Sequence, residues 1–145
     1  MKKNFIIAAI VTTIFLFIEN AVVYIAFLKS FFKNHPAVSQ DFMDQLYRPD
    51  DQIIAWAVIL CSVALGVLVT TVINWSGAKT FVAGLKNGFL FAILLLCTVD
   101  FGLLGSTNNF TTAGAFADII CSTITVTIAS GVSAWLLGRG SVNKA

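Results

Sequence analysis

The chain has 145 residues, 58% of them hydrophobic and only 11% charged, with a mean hydropathy of +0.90 and a formal net charge of +2. This composition excludes a water-soluble globular domain. A nucleic-acid-binding module is excluded too, because the basic residues flank apolar runs and form no patch.

Four apolar stretches, at residues 5–28, 53–74, 81–104 and 113–137, are each long enough to cross a hydrocarbon core of about 30 Å at about 1.5 Å per residue. Barrel strands would be short and alternating, whereas uninterrupted apolar runs satisfy their own backbone hydrogen bonds as helices. The expected fold is all-α: a single integral membrane domain over residues 1–145, built as a four-helix bundle.

The first span follows Met1-Lys2-Lys3, the opening of a secretory signal. Glu19 and Tyr24, however, occupy positions where cleavage before Ala21 or Ala26 wants a small residue, so the segment reads as a retained helix. Thr12, Thr13, Glu19, Asn20 and Tyr24 give it a broad polar face. Residues 29–52 form the one substantial extramembrane loop. Within it the spacing predicts a helix over 39–48, with Ser39 as N-cap and Pro49 as stop. Phe42, Met43, Leu46 and Tyr47 make one apolar stripe, while Asp41, Asp44 and Gln45 face water, the pattern of a short helix lying on a membrane surface. Such a helix caps the bundle or serves as a spacer. His35, beside Pro36, reads as an exposed loop residue, and Asp50 and Asp51 as dipole partners at the start of the second span.

In the third span Gly84 and Gly88 form a GxxxG that suits close packing within the bundle. Lys86 between them reaches the nearby interface along its stem. Asp100 lies one turn beyond Cys97, and residues 105–112 form a hydrogen-bonding loop that includes Asn108. In the fourth span Gly114, Asp118, Ser122, Thr125, Ala129 and Ser133 share a small, polar stripe expected to pack inwards. Phe116, Ile120, Ile124 and Ile128 point elsewhere. The distribution of lysine and arginine predicts cytoplasmic termini, with Lys2, Lys3, Lys79, Arg139 and Lys144 inside. Trp75 and Trp135 mark the inner interface, Trp56 and Tyr47 the outer one.

Function is expected at the carboxylates. Glu19, Asp100 and Asp118 have no basic neighbour in sequence, and an acidic side chain at membrane depth must be protonated, paired or facing a polar cavity. Counted from the outer helix ends, Asp100 and Asp118 lie roughly 6 to 8 Å deep and Glu19 roughly 13 to 14 Å. Together with Asn20, Tyr24, Asn108 and Ser122 they suggest an outward-facing site for a small or cationic ligand, with Glu19 as proton carrier or cation ligand. The alternatives are interfacial solvation for the aspartates and a structural hydrogen bond for Glu19. Cys61, Cys97 and Cys121 fall at similar depth, roughly 10 to 12 Å, so a soft-metal site is conceivable. Cysteine is also a common buried filler, and no CxxC or Cys/His spacing supports ligation, which leaves metal and cofactor unknown. Phosphate loops, HExxH and nucleophile elbows are absent, which argues against an enzyme.

Phe17-Ile18-Glu19-Asn20, Thr98-Val99-Asp100-Phe101 with Thr107-Asn108-Asn109, and Phe116-Ala117-Asp118-Ile119 carry a resemblance over nearly the whole chain to a family of small bacterial four-span inner-membrane proteins. The resemblance implies this architecture and a shared polar site in the inner membrane, and brings no activity with it. The chain departs from the family in having Glu for Asp in the first span and few aromatic residues around Asp100 and Asp118. A first-span glutamate in a four-helix subunit is shared with small multidrug transporters, whose pattern lacks the long loop and extra aspartates. The readings are therefore ligand binding with proton-coupled transport, for which one bundle needs a homodimer or a larger complex, or a non-catalytic assembly subunit. Catalysis on a lipid at the outer leaflet ranks last.

Overall fold

The computed structural model describes residues 2–139 and, within them, contains helices and connections but no strand. Helix α1 (Lys2–Val23) runs through a π-helical turn (Tyr24–Leu28) into α2 (Lys29–Asn34). There follow α3 (Gln40–Leu46), a 3-10 turn (Asp50–Gln52), α4 (Ala55–Trp75), α5 (Phe81–Ser106) and α6 (Thr112–Gly138). Four helical stretches, the first continuous to Asn34, are long and apolar enough to cross a bilayer, the architecture of a multi-pass membrane protein.

The first stretch does not end at residue 28 as expected. Nothing between Leu28 and Asn34 breaks a helix, and the effective stop is Pro36, before which His35 leaves helical geometry at φ −128° and ψ 58°. Lys29 and Lys33 are thus helical, and Lys33 sits in the last turn, where the dipole favours a cation. The π turn absorbs the extra length just after the polar face of α1. Helix α3 is shorter than the predicted 39–48. Ser39 occupies the N-cap position without a side-chain capping bond, and the chain is already extended at Tyr47, two residues ahead of Pro49. Asp50 and Asp51 fall in their own 3-10 turn, so they lie outside the first turn of α4, which begins at Ala55.

Short connections make successive long helices antiparallel. Gly77 adopts φ 73° in the turn after α4, a left-handed conformation open to glycine. Thr80 then caps α5 by accepting from the Ala83 amide at 3.2 Å, and Thr111 caps α6 by accepting from Gly114 at 3.0 Å. The bundle therefore has a termini end and a long-loop end, where α2, α3 and the α5–α6 loop gather. Helix α6 is the centre: 56% of its apolar stretch is buried, against 17 to 22% in the others, and it packs on α5, α1 and α4. Helix α5 leans on α6 and scarcely touches α4.

The surface is apolar and much of the interior is polar. Ile6, Ile10, Ile14 and Ile18 of α1, Leu90 and Leu94 of α5, and Ile120 and Ile124 of α6 face outwards. Thr12, Thr70, Thr123, Thr125, Ser130 and Ser133 are buried among Leu16, Val69, Ile73 and alanines. Lipid gives helices no hydrophobic reason to associate, so small residues and hydroxyl contacts hold them together. Gly84 and Gly88 press against Ser130, Gly131 and Ala134, which puts the GxxxG at the α5–α6 contact inside the bundle. Gly66 of α4 meets the backbone of Thr13. The Ser133 hydroxyl donates to Thr70 Oγ1 at 3.3 Å, tying α6 to α4. Thr70→Val should lower stability in detergent unfolding by only about 0.6 kcal/mol, the mean for interhelical hydrogen bonds in membranes. At the termini end the Arg139 guanidinium lies 3.6 Å from the Trp135 ring centre, and Trp75 is exposed, as expected of aromatic residues at a membrane–water boundary.

Candidate functional site

The α5–α6 contact sets the position of two carboxylates. Gly84 meets Ala134 and Gly88 meets Ser130; stepping four residues at a time in opposite directions leads to Ala92 with Val126, Leu96 with Ser122, and Asp100 with Asp118. Ala92 and Val126 are both buried, as this register requires. Asp100 is 3% exposed and its Oδ2 has no hydrogen-bond partner. Asp118 is half-buried and accepts a hydrogen bond from Ser122 Oγ at 3.2 Å. Two carboxylates thus fall at the same level of the α5–α6 contact, the buried one with an oxygen unoccupied by any protein donor among the described residues.

Glu19 is on the other side of α6. The Gly66–Thr13 contact and the Ser133–Thr70 bond bring Thr13 level with about residue 129 of α6, and hence Glu19 level with about Thr123. That is roughly 7 Å along the axis from Asp118, towards the termini end. Glu19 is half-buried and its Oε2 also lacks a partner, as do the hydroxyls of Thr12, Thr123 and Thr127. Buried polar atoms in folded proteins are nearly always hydrogen-bonded, so five unpartnered oxygens on α1, α5 and α6 are unusual for passive packing. Below them Ser130 bonds back to the Val126 carbonyl at 2.7 Å and Ser133 to Thr70. Buried polar side chains thus continue from Asp118 to Ser133, roughly 22 Å along α6.

The remaining sequence candidates divide. Ser122 joins the carboxylate pair, and Gly114, Thr125, Ala129 and Ser133 of its stripe are buried while Phe116, Ile120 and Ile124 are exposed. Asn20 and Asn108 are exposed. Cys61 is exposed and Cys97 and Cys121 are half-buried; all three are free thiols, and among the described residues no three His, Cys, Asp or Glu side chains gather to hold a metal ion.

Tyr24 belongs to a different feature. A cavity of about 160 Å³ at the long-loop end is lined by Tyr24, Phe32, His35, Met43, Tyr47, Asn109, Phe110 and Thr111, with Pro36 and Ala37. None of the three carboxylates lines it. Its walls come from the end of the first helix, from α3 with the strands of chain flanking it, and from the α5–α6 loop. Phe32 packs against Phe110 with centroids 5.8 Å apart, and His35 stacks on Phe31 at 4.4 Å while its Nδ1 lies 3.0 Å from the Phe31 carbonyl oxygen. The sequence signal for this cavity was the density of rings at 27, 31, 32 and 35, which carries no hint of Phe110 as their partner.

No family model, curated protein or solved structure matches the chain. Chemistry is therefore argued from the side chains. Two carboxylates at one level of a helix contact can hold a proton or a cation between them, and hydroxyls with free lone pairs and protons can relay either.

Proposed function

We propose that this is an inner-membrane protein whose Asp100–Asp118 pair binds a small cation in exchange for a proton, with Glu19 as the next acceptor along the buried polar line. The observation that carries this reading is Asp100, 3% exposed, with Oδ2 unpartnered and Asp118 at the same level of the neighbouring helix. Two bare charges at that depth repel each other and are poorly solvated, so the stable occupied states contain a proton or a cation. With both termini cytoplasmic, as the lysine and arginine distribution favours, the pair lies in the outer half of the bundle and α3 on the outer membrane surface.

Proton-coupled uptake is the natural extension. A single bundle with its centre filled by α6 supplies binding, and a translocation path requires a second copy or a larger complex. In proteoliposomes, Glu19→Gln should abolish cation-driven proton movement while the protein remains folded. Unchanged movement would exclude Glu19 as the carrier. The second reading, a non-catalytic assembly subunit, is favoured by α5, which leans mainly on α6 and leaves its other sides largely open to a neighbour. On that reading Asp100→Asn alters assembly and binds no differently from wild type.

A further inference from the structure

The cavity at the long-loop end is built for a ligand of its own. Its volume of about 160 Å³ is close to the roughly 150 Å³ of an apolar cavity that admits benzene, so the occupant is the size of one ring or one tetra-substituted centre. Its lining chemistry narrows the class. Tyr24, Phe32, Tyr47 and Phe110 present four aromatic rings, Met43 adds a polarisable thioether, and among the described residues no Lys, Arg, Asp or Glu side chain takes part. The imidazole of His35, with Nδ1 against the Phe31 carbonyl oxygen, is the one basic group among the described lining residues, and a bare metal ion would find no carboxylate among them.

Backbone dipoles add a sign. Two helices end on the cavity at their negative, C-terminal ends: α2 at His35 and α3 at Tyr47. Pro36, next in the chain, has no amide proton with which to satisfy the last carbonyls of α2. At the start of α6, beside the cavity, the Gly114 amide is already occupied by the Thr111 hydroxyl. Aromatic lining and helix C-termini together favour a cation whose charge is spread over an apolar body, the combination that aromatic cages use.

We propose that this cavity binds a methylated ammonium group, carried either by a free solute such as choline or by a lipid headgroup. The site is separate from the carboxylate pair and does not depend on it. Tyr24 and Tyr47, each about half exposed, close its rim, and Asn109 and the Thr111 hydroxyl supply the polar contacts for whatever the ammonium is attached to.

The test uses the full chain in nanodiscs of phosphatidylglycerol, which carries no ammonium, titrated with choline and with its uncharged isostere 3,3-dimethylbutanol while the methyl proton signal is followed by NMR. Choline should bind and the isostere should not. Tyr47→Leu and Tyr24→Leu, at surface positions that leave the fold intact, should each weaken choline roughly threefold to thirtyfold. Asp100→Asn should leave choline binding unchanged even if it abolishes cation exchange. Adding phosphatidylcholine to the nanodiscs distinguishes the sources: competition assigns the cavity to a lipid headgroup, and unaltered binding assigns it to a solute. Equal binding of the isostere, or binding of choline unaffected by both tyrosine substitutions, overturns the proposal.

Discussion

Gly84→Val is expected to separate α5 from α6 and leave little folded protein. A Cβ at this position already lies 2.5 Å from the Ser130 carbonyl oxygen and 2.9 Å from Gly131 Cα, distances that backbone atoms cannot relieve by changing rotamer. The helices must move apart, and their association depends on this close approach because lipid supplies no hydrophobic drive to replace it. Overpacking in well-filled interiors costs about 1 to 3 kcal/mol and sometimes more. Here the upper part of that range applies, since α5 has α6 as its one substantial neighbour. Glycines on the same helix provide the control. A Cβ at Gly102 or Gly105 meets nothing within 4 Å, so Gly102→Ala should be neutral or stabilising by up to about 1 kcal/mol through helix propensity. Unfolding in mixed detergent micelles, followed by circular dichroism, measures both. Equal effects of Gly84→Val and Gly102→Ala would contradict the packing.

The second large effect is expected at Asp100. Asp100→Asn keeps the side-chain shape and removes one of two carboxylate charges at the same level of the α5–α6 contact. Stability should therefore hold or rise, in contrast to the usual cost of altering a buried polar group. Binding should suffer, because a hydrogen bond or contact to a charged group contributes about 1.5 to 3 kcal/mol, or roughly tenfold to 150-fold in affinity. Cation affinity in the wild-type protein should rise with pH as protons cease to compete, and this dependence should be lost in Asp100→Asn. A substitution that unfolds the protein, with wild type showing no affinity at any pH, would mark Asp100 as a packing residue instead.

The sequence makes the architecture legible because each level of it repeats the same message. Uninterrupted apolar runs set the spans, and on α6 the small and hydroxyl residues at 114, 118, 122, 125, 129 and 133 set the inward face by exclusion of the bulky ones. The GxxxG also predicts its own use. What pattern alone did not yield is register. Asp100 and Asp118 come level with each other only because Gly84 and Gly88 land on Ala134 and Ser130, a pairing that depends on three-dimensional fit between two helices and not on either one. The same holds for the aromatic cavity, which needs Tyr24, Phe32, Tyr47 and Phe110 from separate segments. The end of the first helical stretch was misplaced for a different reason. Lys29 and Lys33 look like the polar flank of a span, but a helix continues through charged residues until something breaks it, and here that is Pro36.

The π turn at Tyr24–Leu28 lies between the two features. It begins five residues beyond Glu19, and its first residue lines the cavity. Five-residue hydrogen-bonded turns inside α-helices recur at functional positions, where the locally wider winding redirects side chains. Tyr24 lines the cavity, whereas Thr12, Leu16 and Glu19 of the preceding turns lie on the face carried into the bundle.

The central claim, that the Asp100–Asp118 pair exchanges a proton for a cation, is tested most directly by counting protons. Purified protein in lightly buffered detergent, with a pH-sensitive dye, is mixed in turn with sodium, magnesium, manganese and ethylammonium chlorides, and the same series is run on Asp100→Asn. Saturable release of about one proton per chain by at least one of these cations in the wild type, and none in the variant, is the result expected. No saturable release from the wild-type protein, or the same release from both, would contradict it.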